Sequence, residues 1–426
     1  MSNSSHISRR DFVKGASVLS ASSLLVNSAA VFSAGPETIK IGLIGCRNRG
    51  PRALGNCLDA AKYLGLNTEI VAVADYFMER AINTAEQYNV PQERCYGGIE
   101  SYKSVMASEA DVVLLATPPN FRPIHFDAAV KAGKHVFIEK PVAVDAPGAR
   151  KIMQTGKLAT EKKLAVVAGT QRRHEAAYRQ TAYAIDHGAI GQLMSGKVWW
   201  CRASMWFNPR QPDESSSDYL MRNWINFTEM SGDHIVEQHL HQLDVANWFI
   251  GRPPEMALGF GGRARRESGN QFDFFSVDFD YGQDVHIHSM SRQIDGCYDR
   301  IAEYFIGTDG NTWGTGPGPR GYGKSVQLPE FEEHISSLVQ EHVNLLRGIV
   351  EGNPLNEAQN VAESTLTVIM GRISAYTGSL VRWRELVDQS VGSTWYDFRL
   401  TPTAEDFEKG AVEVPDETSI PVPGRA

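Results

Sequence analysis

The sequence predicts an α/β protein in which an N-terminal doubly wound parallel sheet precedes a second α/β domain with a large, mainly antiparallel open sheet. Three observations carry this prediction. Short apolar runs rich in β-branched residues alternate with helical segments from Thr38 to Val167, as in repeated β–α units. After Gly169 the strands become longer and several follow one another directly, which is typical of antiparallel sheets. A chain of 426 residues also favours two domains over one.

The first domain, predicted over 38–168, consists of apolar strands that alternate with helices. Apolar runs of this kind are typical of strands buried on both faces of a parallel sheet. The predicted strands cover 39–45, 69–75, 111–117, 135–139 and 164–168. The predicted helices cover 52–63, 78–88 and 125–132. Repeated units in this order indicate a doubly wound sheet.

The second domain, predicted over 169–400, contains the longer strands and its own helices. The strands are expected at 191–201, 256–261, 273–281, 285–293 and 304–307. The helices are expected at 176–187, 235–250, 330–351 and 357–378. The tail over 401–426 is polar and rich in proline, which predicts a strap across the surface.

Residues 1–34 have the three parts of a twin-arginine export signal. Arg9 and Arg10 are followed by Phe12 and Lys14, an apolar stretch covers 16–32, and small residues suited to a signal peptidase stand at its end. The apolar stretch is too short and too polar to span a bilayer. We therefore expect export in a folded state to the periplasm, or otherwise outside the cytoplasm.

Composition limits the kinds of partner that the chain can bind. It has 42 basic and 50 acidic residues, a net charge of −8, which argues against nucleic acid as the main partner. No segment after the signal is a transmembrane candidate, so we expect no membrane association once the signal is removed. The five cysteines are scattered without a C-x-x-C pair and do not resemble a disulfide framework.

A turn bounded by glycines follows the first predicted strand. Gly45 and Gly50 occupy the first and last positions of a G-x-G-x-x-G dinucleotide fingerprint, and Arg47 stands at the middle position. The first glycine allows the tight turn, and the last allows the helix to pack close to the strand. Asp75 ends the second strand, where a carboxylate binds a ribose diol and repels a 2′-phosphate. The pattern predicts NAD rather than NADP.

Further motifs stand near the ends of the predicted strands and on a later helix. They are Ala-Thr-Pro-Pro-Asn at 116–120, Glu-Lys-Pro at 139–141, Gly-Thr-Gln-Arg-Arg at 169–173 and Glu-Gln-His-Leu-His-Gln-Leu-Asp at 237–244. With the 45–50 turn, they resemble the Gfo/Idh/MocA oxidoreductases, and most of all the exported members of that family. The resemblance implies a Rossmann domain, and a second domain whose open sheet faces another subunit in a homo-oligomer. It also implies a bound nicotinamide cofactor and a sugar or cyclitol substrate between Lys140 and the 237–244 helix.

The fingerprint and the resemblance together assign two groups of binding residues. The predicted cofactor-binding residues are Gly45, Arg47, Asn48, Arg49, Gly50, Asp75, Thr117, Pro118, Asn120, His125, Glu139, Lys140 and Gln171. The predicted substrate-binding residues are Arg173, Trp206, Asp244 and Tyr298. Trp206, Tyr298 and Trp224 are candidate platforms because a ring face suits the C–H side of a sugar, although each ring could equally belong to the core.

Three residues are predicted to be catalytic. Lys140 would orient a substrate hydroxyl and stabilise the developing alkoxide. His241 follows Glu237 by one helical turn, and an imidazole beside a carboxylate is a candidate general base. The family's dehydrogenases usually have aspartate in place of Glu237 and glycine in place of His239, which leaves the role of Glu237 open between proton relay and substrate binding. No metal site is predicted, because the pair lacks a third ligand.

These residues predict an NAD-dependent oxidoreductase acting on a hydroxyl of a sugar, glycoside or cyclitol. Export implies that the cofactor is loaded beforehand and held tightly, with Arg47 as a clamp. One alternative is a glycoside hydrolase or lyase that oxidises its substrate, eliminates the leaving group and returns the hydride. The sequence lacks the Asn-Leu-Tyr-Pro-type run of NAD-dependent α-N-acetylgalactosaminidases, which are of this kind. The other alternative is a non-catalytic protein that binds NAD.

Overall fold

The computed structural model describes residues 38–319, 321–332, 334 and 336–424. The predicted export signal at 1–34 lies outside these residues and stays a prediction. From Thr38 onward the described residues form one unit that contains two β-sheets. Among them, no helix has the length and apolar character needed to cross a membrane.

A six-stranded parallel sheet in the first part of the described chain confirms the doubly wound prediction. Its strands are β1 Thr38–Ile44, β2 Asn67–Asp75, β3 Cys95–Gly97, β4 Val112–Leu115, β5 His135–Ile138 and β6 Val166–Ala168. Their order is β3-β2-β1-β4-β5-β6, and every pair is parallel. The order therefore reverses between β1 and β4, where doubly wound sheets open a crevice for ligands.

Helices cover this sheet, which is why its strands are apolar on both faces. They are α1 Arg49–Tyr63, α2 Met78–Gln87, α3 Ser101–Ala107, α4 Arg122–Lys131 and α5 Ala146–Glu161. The sequence prediction lacks α3 and α5. The start of α5 has a local cause, because the Asp145 carboxylate accepts the amide N–H of Gly148 at 2.8 Å and caps the helix.

The second sheet has eight strands in the described residues and is mainly antiparallel, as predicted. The strands are β7 Leu193–Arg202, β8 Met256–Gly262, β9 Phe274–Asp280, β10 His286–Gln293, β11 Arg300–Gly307, β12 Asn311–Trp313, β13 Gly316–Pro317 and β14 Val381–Arg382. Their order is β13-β12-β11-β7-β10-β9-β8-β14. Only β7 and β10 pair in parallel within this sheet, which the long connection between them permits.

The helices of the second part cover one face of this sheet and also return to the first sheet. They are α6 Ala176–Asp186, α7 Ser216–Asn223, α8 Thr228–Ser231, α9 His234–Glu237, α10 Leu240–Ile250, α11 Ser337–Val350, α12 Ala358–Thr377, α13 Arg384–Val387, α14 Thr394–Asp397 and α15 Ala404–Lys409. The α12 helix lies close to β9, since a Cβ added at Gly371 would be 2.7 Å from the Phe279 ring. On α11, Val339, Val343 and Leu346 belong to the same core as Leu54 of α1.

The predicted helix over 235–250 is interrupted. It divides into α9, which ends at Glu237, and α10, which begins at Leu240. The Glu237 carbonyl accepts a hydrogen bond from Lys140 Nζ at 2.6 Å instead of continuing the helix. The His239 ring lies between the two segments, with Nε2 at 2.7 Å from Ser289 Oγ on β10. The break is therefore fixed by tertiary contacts on either side of it.

The C-terminal tail crosses the surface near the first domain, as a strap would. Asn120 Nδ2 donates to the Pro402 carbonyl at 3.1 Å. The Phe407 ring packs edge-on against Phe121, with centroids 5.1 Å apart. Thr403 and Asp406 form a reciprocal capping box that starts α15.

Buried histidines make acid stability a test of this fold. Burial, with nearby positive charges, lowers the pKa of His125 and of His239 to about 3. The unfolded imidazoles gain protons below about pH 6.5, so the stabilising contribution is complete above that pH and is lost as the pH falls toward 3. Each histidine should reduce the free energy of unfolding by about 1.4 kcal/mol per pH unit over this window. Urea unfolding between pH 7.5 and pH 4.5 measures the slope.

His239→Gln should reduce the pH dependence of the free energy of unfolding by the contribution of one histidine, about 1.4 kcal/mol per pH unit, because glutamine does not titrate. The same replacement at His187, which is exposed, is the control. An unchanged slope in H239Q would contradict the burial of a neutral imidazole at this position.

Candidate active site

A cavity of about 330 Å³ lies at the carboxyl ends of β1, β2, β4 and β5. The opposite wall comes from residues 205–225 and from the break between α9 and α10. The cavity brings together many of the predicted site residues. They are Gly45, Arg47, Asn48, Arg49, Asp75, Thr117, Pro118, Glu139, Lys140, Gln171, Trp206, Glu237 and His241.

The two fingerprint glycines are required by close backbone contacts. Gly45 has a φ of +98°, and a Cβ there would lie 2.7 Å from the Ala116 carbonyl oxygen. Gly50 does not line the cavity, but a Cβ there would lie 1.7 Å from the Gly45 carbonyl oxygen. A side chain at Gly50 would therefore push α1 away from the end of β1, and one at Gly45 would strain the turn and clash with the backbone that follows β4.

The first turn of α1 lies at the cavity, and the side chain of the residue before it caps none of its backbone amides. Asn48 precedes the helix and makes no side-chain capping hydrogen bond. Asn48 and Arg49 both line the cavity. The Gly50 N–H donates to the Arg47 carbonyl at 2.9 Å, and Pro51 has no N–H. The dipole of α1, with the amide of Arg49 at its start, favours an anion at this position, such as the pyrophosphate of a dinucleotide.

Asp75 stands at the end of β2 with its carboxylate fixed by two backbone amides. The Cys46 N–H donates to Oδ2 at 2.7 Å, and the Phe77 N–H donates to Oδ1 at 2.9 Å. Burial raises the pKa of Asp75, while these amides and the Arg80 guanidinium act in the opposite direction. Each carboxylate oxygen keeps a lone pair for a further donor, such as a ribose hydroxyl.

The Arg47 side chain reaches the opposite wall of the cavity. Its Nη1 donates to the Arg222 carbonyl at 2.7 Å, and its guanidinium carbon lies 4.4 Å from the centroid of the Trp206 ring. The Arg222 side chain is paired with Glu214. We call the group of Arg47, Trp206 and Arg222 the closing contact, because it joins the 45–50 turn to the segment that covers the cavity.

Arg49 is paired with two carboxylates instead of pointing freely toward the cavity. Its Nε donates to Glu139 Oε1, and its Nη2 donates to Glu341 Oε1 at 2.9 Å. Glu139 is confined on its other side, since a Cβ at Gly169 would lie 2.5 Å from Glu139 Oε2. The predicted cofactor-binding residues Arg49 and Glu139 thus form one fixed unit of the cavity wall.

Lys140 joins the first domain to the α9–α10 break. Its Nζ donates to the Glu237 carbonyl at 2.6 Å and lies 3.1 Å from Glu237 Oε1. The ammonium has three N–H groups, so one remains for a substrate hydroxyl. Arg122 lies nearby, donates to the Pro141 carbonyl, and has its pKa lowered to about 10 by burial.

His241 lines the cavity as a neutral imidazole. Burial, together with the charges of Lys140, Arg172 and Arg49, lowers its pKa well below the usual value. The ring stacks near Trp200, with centroids 5.8 Å apart. A neutral imidazole can accept a proton, which a general base requires. In the described part of the chain, no group of three or more His, Cys, Asp or Glu residues is placed to hold a metal ion.

Two tryptophans and several apolar side chains form the covering wall. Trp206 and Trp224 lie edge to face, with ring centroids 6.2 Å apart. Met205, Met221 and Ile225 complete this part of the lining. The wall is suited to the apolar face of a ring, while Lys140 and its partners lie on the polar side.

Other predicted residues are not brought to the cavity. Arg173 Nε and Nη2 donate to the Asp244 carboxylate at 2.9 Å, and Ser364 Oγ adds a third donor at 2.8 Å. This ion pair satisfies both groups away from the cavity lining, so direct substrate contact by Arg173 and Asp244 is not supported. Tyr298 is 77% exposed and also lies outside the lining.

Asn120 and His125 do not line the cavity but contact residues next to it. Asn120 binds the tail through Pro402. His125 Nδ1 lies 3.2 Å from Thr117 Oγ1, and its ring packs against Tyr102 with centroids 4.4 Å apart. These contacts hold the neighbouring wall, and the predicted contact of Asn120 and His125 with the cofactor stays a prediction.

Several lining residues are missing from the sequence prediction. They include Tyr76, Arg80, Arg122, Gln238 and Leu338. The positions of Tyr76, directly after Asp75, and Gln238, directly after Glu237, are signals that could have identified them. Arg122 and Leu338 carry no such signal, because neither belongs to a motif that points to the cavity.

The comparisons with known proteins agree with this geometry. Residues 39–170 match the GFO_IDH_MocA model, which is described as an oxidoreductase family with an NAD-binding Rossmann fold. An inositol 2-dehydrogenase from Rhizobium meliloti (strain 1021) is 26% identical over 220 residues, which cover 51% of this chain and 56% of that protein. The chain thus spans little more than half the length of this relative.

Solved structures share the fold over most of the chain. The aldose-aldose oxidoreductase from Caulobacter crescentus, complexed with glycerol, has a TM-score of 0.63 at 14% identity, over 81% of this chain and 100% of that one. The WlbA dehydrogenase from Bordetella pertussis, in complex with NADH and UDP-GlcNAcA, has a TM-score of 0.62 at 18% identity, over 81% and 99%. At such identities the likeness shows the fold. The family match covers residues 39–170, which are similar in sequence to the NAD-binding Rossmann fold of that oxidoreductase family.

Proposed function

We propose that the chain is an NAD-dependent oxidoreductase that acts on a hydroxyl of a sugar, glycoside or cyclitol. The observation that carries the proposal is the meeting of Lys140, Glu237 and His241 in the cavity into which the 45–50 turn opens. A polarising ammonium and a neutral imidazole at the carboxyl ends of a doubly wound sheet are the groups that hydroxyl oxidation requires.

The residues of the cavity fit a bound NAD. Gly45, Asn48 and Arg49 line the cavity at the start of α1, where the helix dipole would favour the pyrophosphate. Asp75 would bind the ribose of the adenosine half, and Glu139 with Gln171 would face the nicotinamide half. When bound, NAD supplies the acceptor or donor of the hydride.

Lys140 and His241 would have different roles at the substrate hydroxyl. The free N–H of Lys140 would bind the hydroxyl oxygen and stabilise negative charge that develops there. The His241 imidazole would take the hydroxyl proton. The cations around His241 destabilise its protonated form, so the imidazolium would pass the proton to another group. Glu237 is the carboxylate on the same wall that would accept it.

The substrate class is supported by the wall opposite Lys140 and by the relatives. The rings of Trp206 and Trp224 offer an apolar surface beside a polar one, which suits a polyhydroxylated ring. One relative is an inositol 2-dehydrogenase, and one structural neighbour is an aldose-aldose oxidoreductase. The proposal therefore favours a sugar or a cyclitol.

Location and cofactor retention extend the proposal. The twin-arginine pattern at 1–34 supports export to the periplasm or beyond. Outside the cytoplasm, a nicotinamide enzyme works best with a cofactor that is loaded before export and regenerated in place. The closing contact supports such retention, because it would have to open before the cofactor leaves.

A homo-oligomer formed through the second sheet also belongs to the proposal. The outer face of that sheet leaves apolar side chains exposed, with Phe260 66% and Leu258 41% exposed. Phe274 and Ile301 add to this surface at 38% and 40%. Exposed apolar patches of this kind mark sites of protein association.

Asp75→Ala should weaken NAD binding by about tenfold, because hydrogen bonds to a charged acceptor contribute roughly 1.5–3 kcal/mol. The discrimination against NADP should fall at the same time, since the repulsion of a 2′-phosphate is lost. Titrations of both cofactors against stripped protein measure the two effects. Asp111→Ala is the control, because Asp111 is exposed and lies before β4. Unchanged affinity in D75A would contradict the assignment.

Lys140→Met and His241→Ala should each lower kcat by about 100-fold or more while NAD still binds, as expected for groups that polarise and transfer protons. Single-turnover absorbance of the reduced cofactor with a panel of sugars and cyclitols measures this. Lys131→Met, which changes an exposed lysine of α4, is the control.

The same assays test the two alternatives. Release of aglycone from a nitrophenyl glycoside without net reduction of NAD would favour the hydrolase alternative. No turnover by the unaltered protein would favour a non-catalytic binding protein.

Arg47→Ala and Trp206→Ala should each speed NAD release by about tenfold, because either change removes half of a cation–π pair in the closing contact. The measurement is the NAD content of the purified protein before and after dialysis. Arg94→Ala, which removes a partly exposed arginine away from the cavity, is the control. Rapid loss of NAD from the unaltered protein would disprove tight retention.

A further inference from the structure

The α11 helix places consecutive polar side chains inside the protein. Gln340 is 1% exposed, and Glu341 and His342 are fully buried. Neighbouring Val339 and Val343 pack in the core of the first sheet. Burying an ionisable group costs more free energy than burying a hydrocarbon of similar size. This polar stretch therefore calls for a role beyond packing.

Glu341 reaches the cavity wall through one residue, Arg49. Its Oε1 accepts from Arg49 Nη2 at 2.9 Å, while Arg49 Nε donates to Glu139. The guanidinium is thus held between a carboxylate from α11 and one from the end of β5. Both Arg49 and Glu139 line the cavity, but Glu341 does not.

The helix is aligned with β5 by one further contact. The His342 ring lies against Phe137 of β5, with centroids 4.2 Å apart. Burial lowers the pKa of His342 well below its usual value, so this ring is neutral and packs without adding charge. Leu338 of the same helix lines the cavity itself. The α11 helix is therefore one wall of the site as well as its support.

We propose that Glu341 is a positioning residue of the cofactor site: it holds Arg49 against Glu139 and so fixes the Glu139 carboxylate at the nicotinamide end of the cavity. The inference rests on the proposed function, because it assumes that NAD occupies the cavity. Without Glu341, the guanidinium is free to turn toward the pyrophosphate position at the start of α1. Glu139 then loses its fixed orientation, although Gly169 still leaves room for it.

The test compares Glu341→Leu, Glu341→Gln and Glu351→Gln in the full-length protein. E341L should raise the Kd for NAD by about tenfold, a size typical of losing a residue that orients a ligand-binding group. E341Q should raise it by about threefold, because a neutral oxygen accepts a weaker hydrogen bond. Both variants should leave the KM for the sugar unchanged. Glu351 follows the same helix at an exposed position, and E351Q should match the unaltered protein. Quenching of tryptophan fluorescence by NAD measures the Kd.

A double-mutant cycle with Arg49→Leu separates positioning from packing. If Glu341 acts through Arg49, adding E341Q to R49L changes the Kd no further. An equal change in both backgrounds, or an unchanged Kd in E341Q and E341L, overturns the proposal. If a urea titration shows that E341L does not fold, the Kd of the isosteric E341Q is the test.

If the unaltered protein does not bind NAD, the proposed function and this inference are both refuted. If the unaltered protein binds NAD and the Glu341 variants have the same Kd, only the inference is refuted.

Discussion

Lys140 crosses the space between the two domains and donates to both the main-chain carbonyl and the side chain of Glu237. The rest of the site depends on this contact. The Glu237 carbonyl accepts from Lys140 at the end of α9, where the helix is interrupted, so this hydrogen bond satisfies a carbonyl that the break leaves without a helical partner. The break also directs His241 into the cavity, opposite the end of β5. Removing the ammonium would leave a buried carboxylate and a buried carbonyl without a charged partner, which is costly.

Charge around the cavity is arranged so that few groups are left unpaired. Arg49 has two carboxylates, and Asp75 has two backbone amides. His241 is neutral because burial and neighbouring cations oppose its protonation. Arg49, Asp75 and Lys140 are thus oriented by protein partners before a ligand arrives. The closing contact through Arg47 is different, because it joins the 45–50 turn to the covering wall across the cavity.

Much of the site could be predicted because its residues follow strands. Gly45, Asp75, Glu139 and Lys140 each stand at or just beyond the carboxyl end of a parallel strand, and such ends meet at one edge of the sheet. His241 was within reach of prediction because it belongs to the 237–244 motif, although the helix breaks between Glu237 and His241. These arguments need only the order of elements along the chain. They do not show a partner that is distant in sequence, such as the one that pairs Arg173 with Asp244.

The sequence by itself determined the doubly wound sheet, the glycine-bounded turn, the acid at the end of β2 and the Lys140–His241 pair, because periodicity and short motifs are local properties. Only the tertiary structure decided that Arg47 contacts Arg222 and Trp206, that the helix breaks after Glu237, and that Glu341 pairs with Arg49. In each case the contact joins segments far apart in the chain. The free energy of such a contact depends on the burial of the two side chains and on their relative orientation, and neither can be predicted from the spacing of residues along the chain.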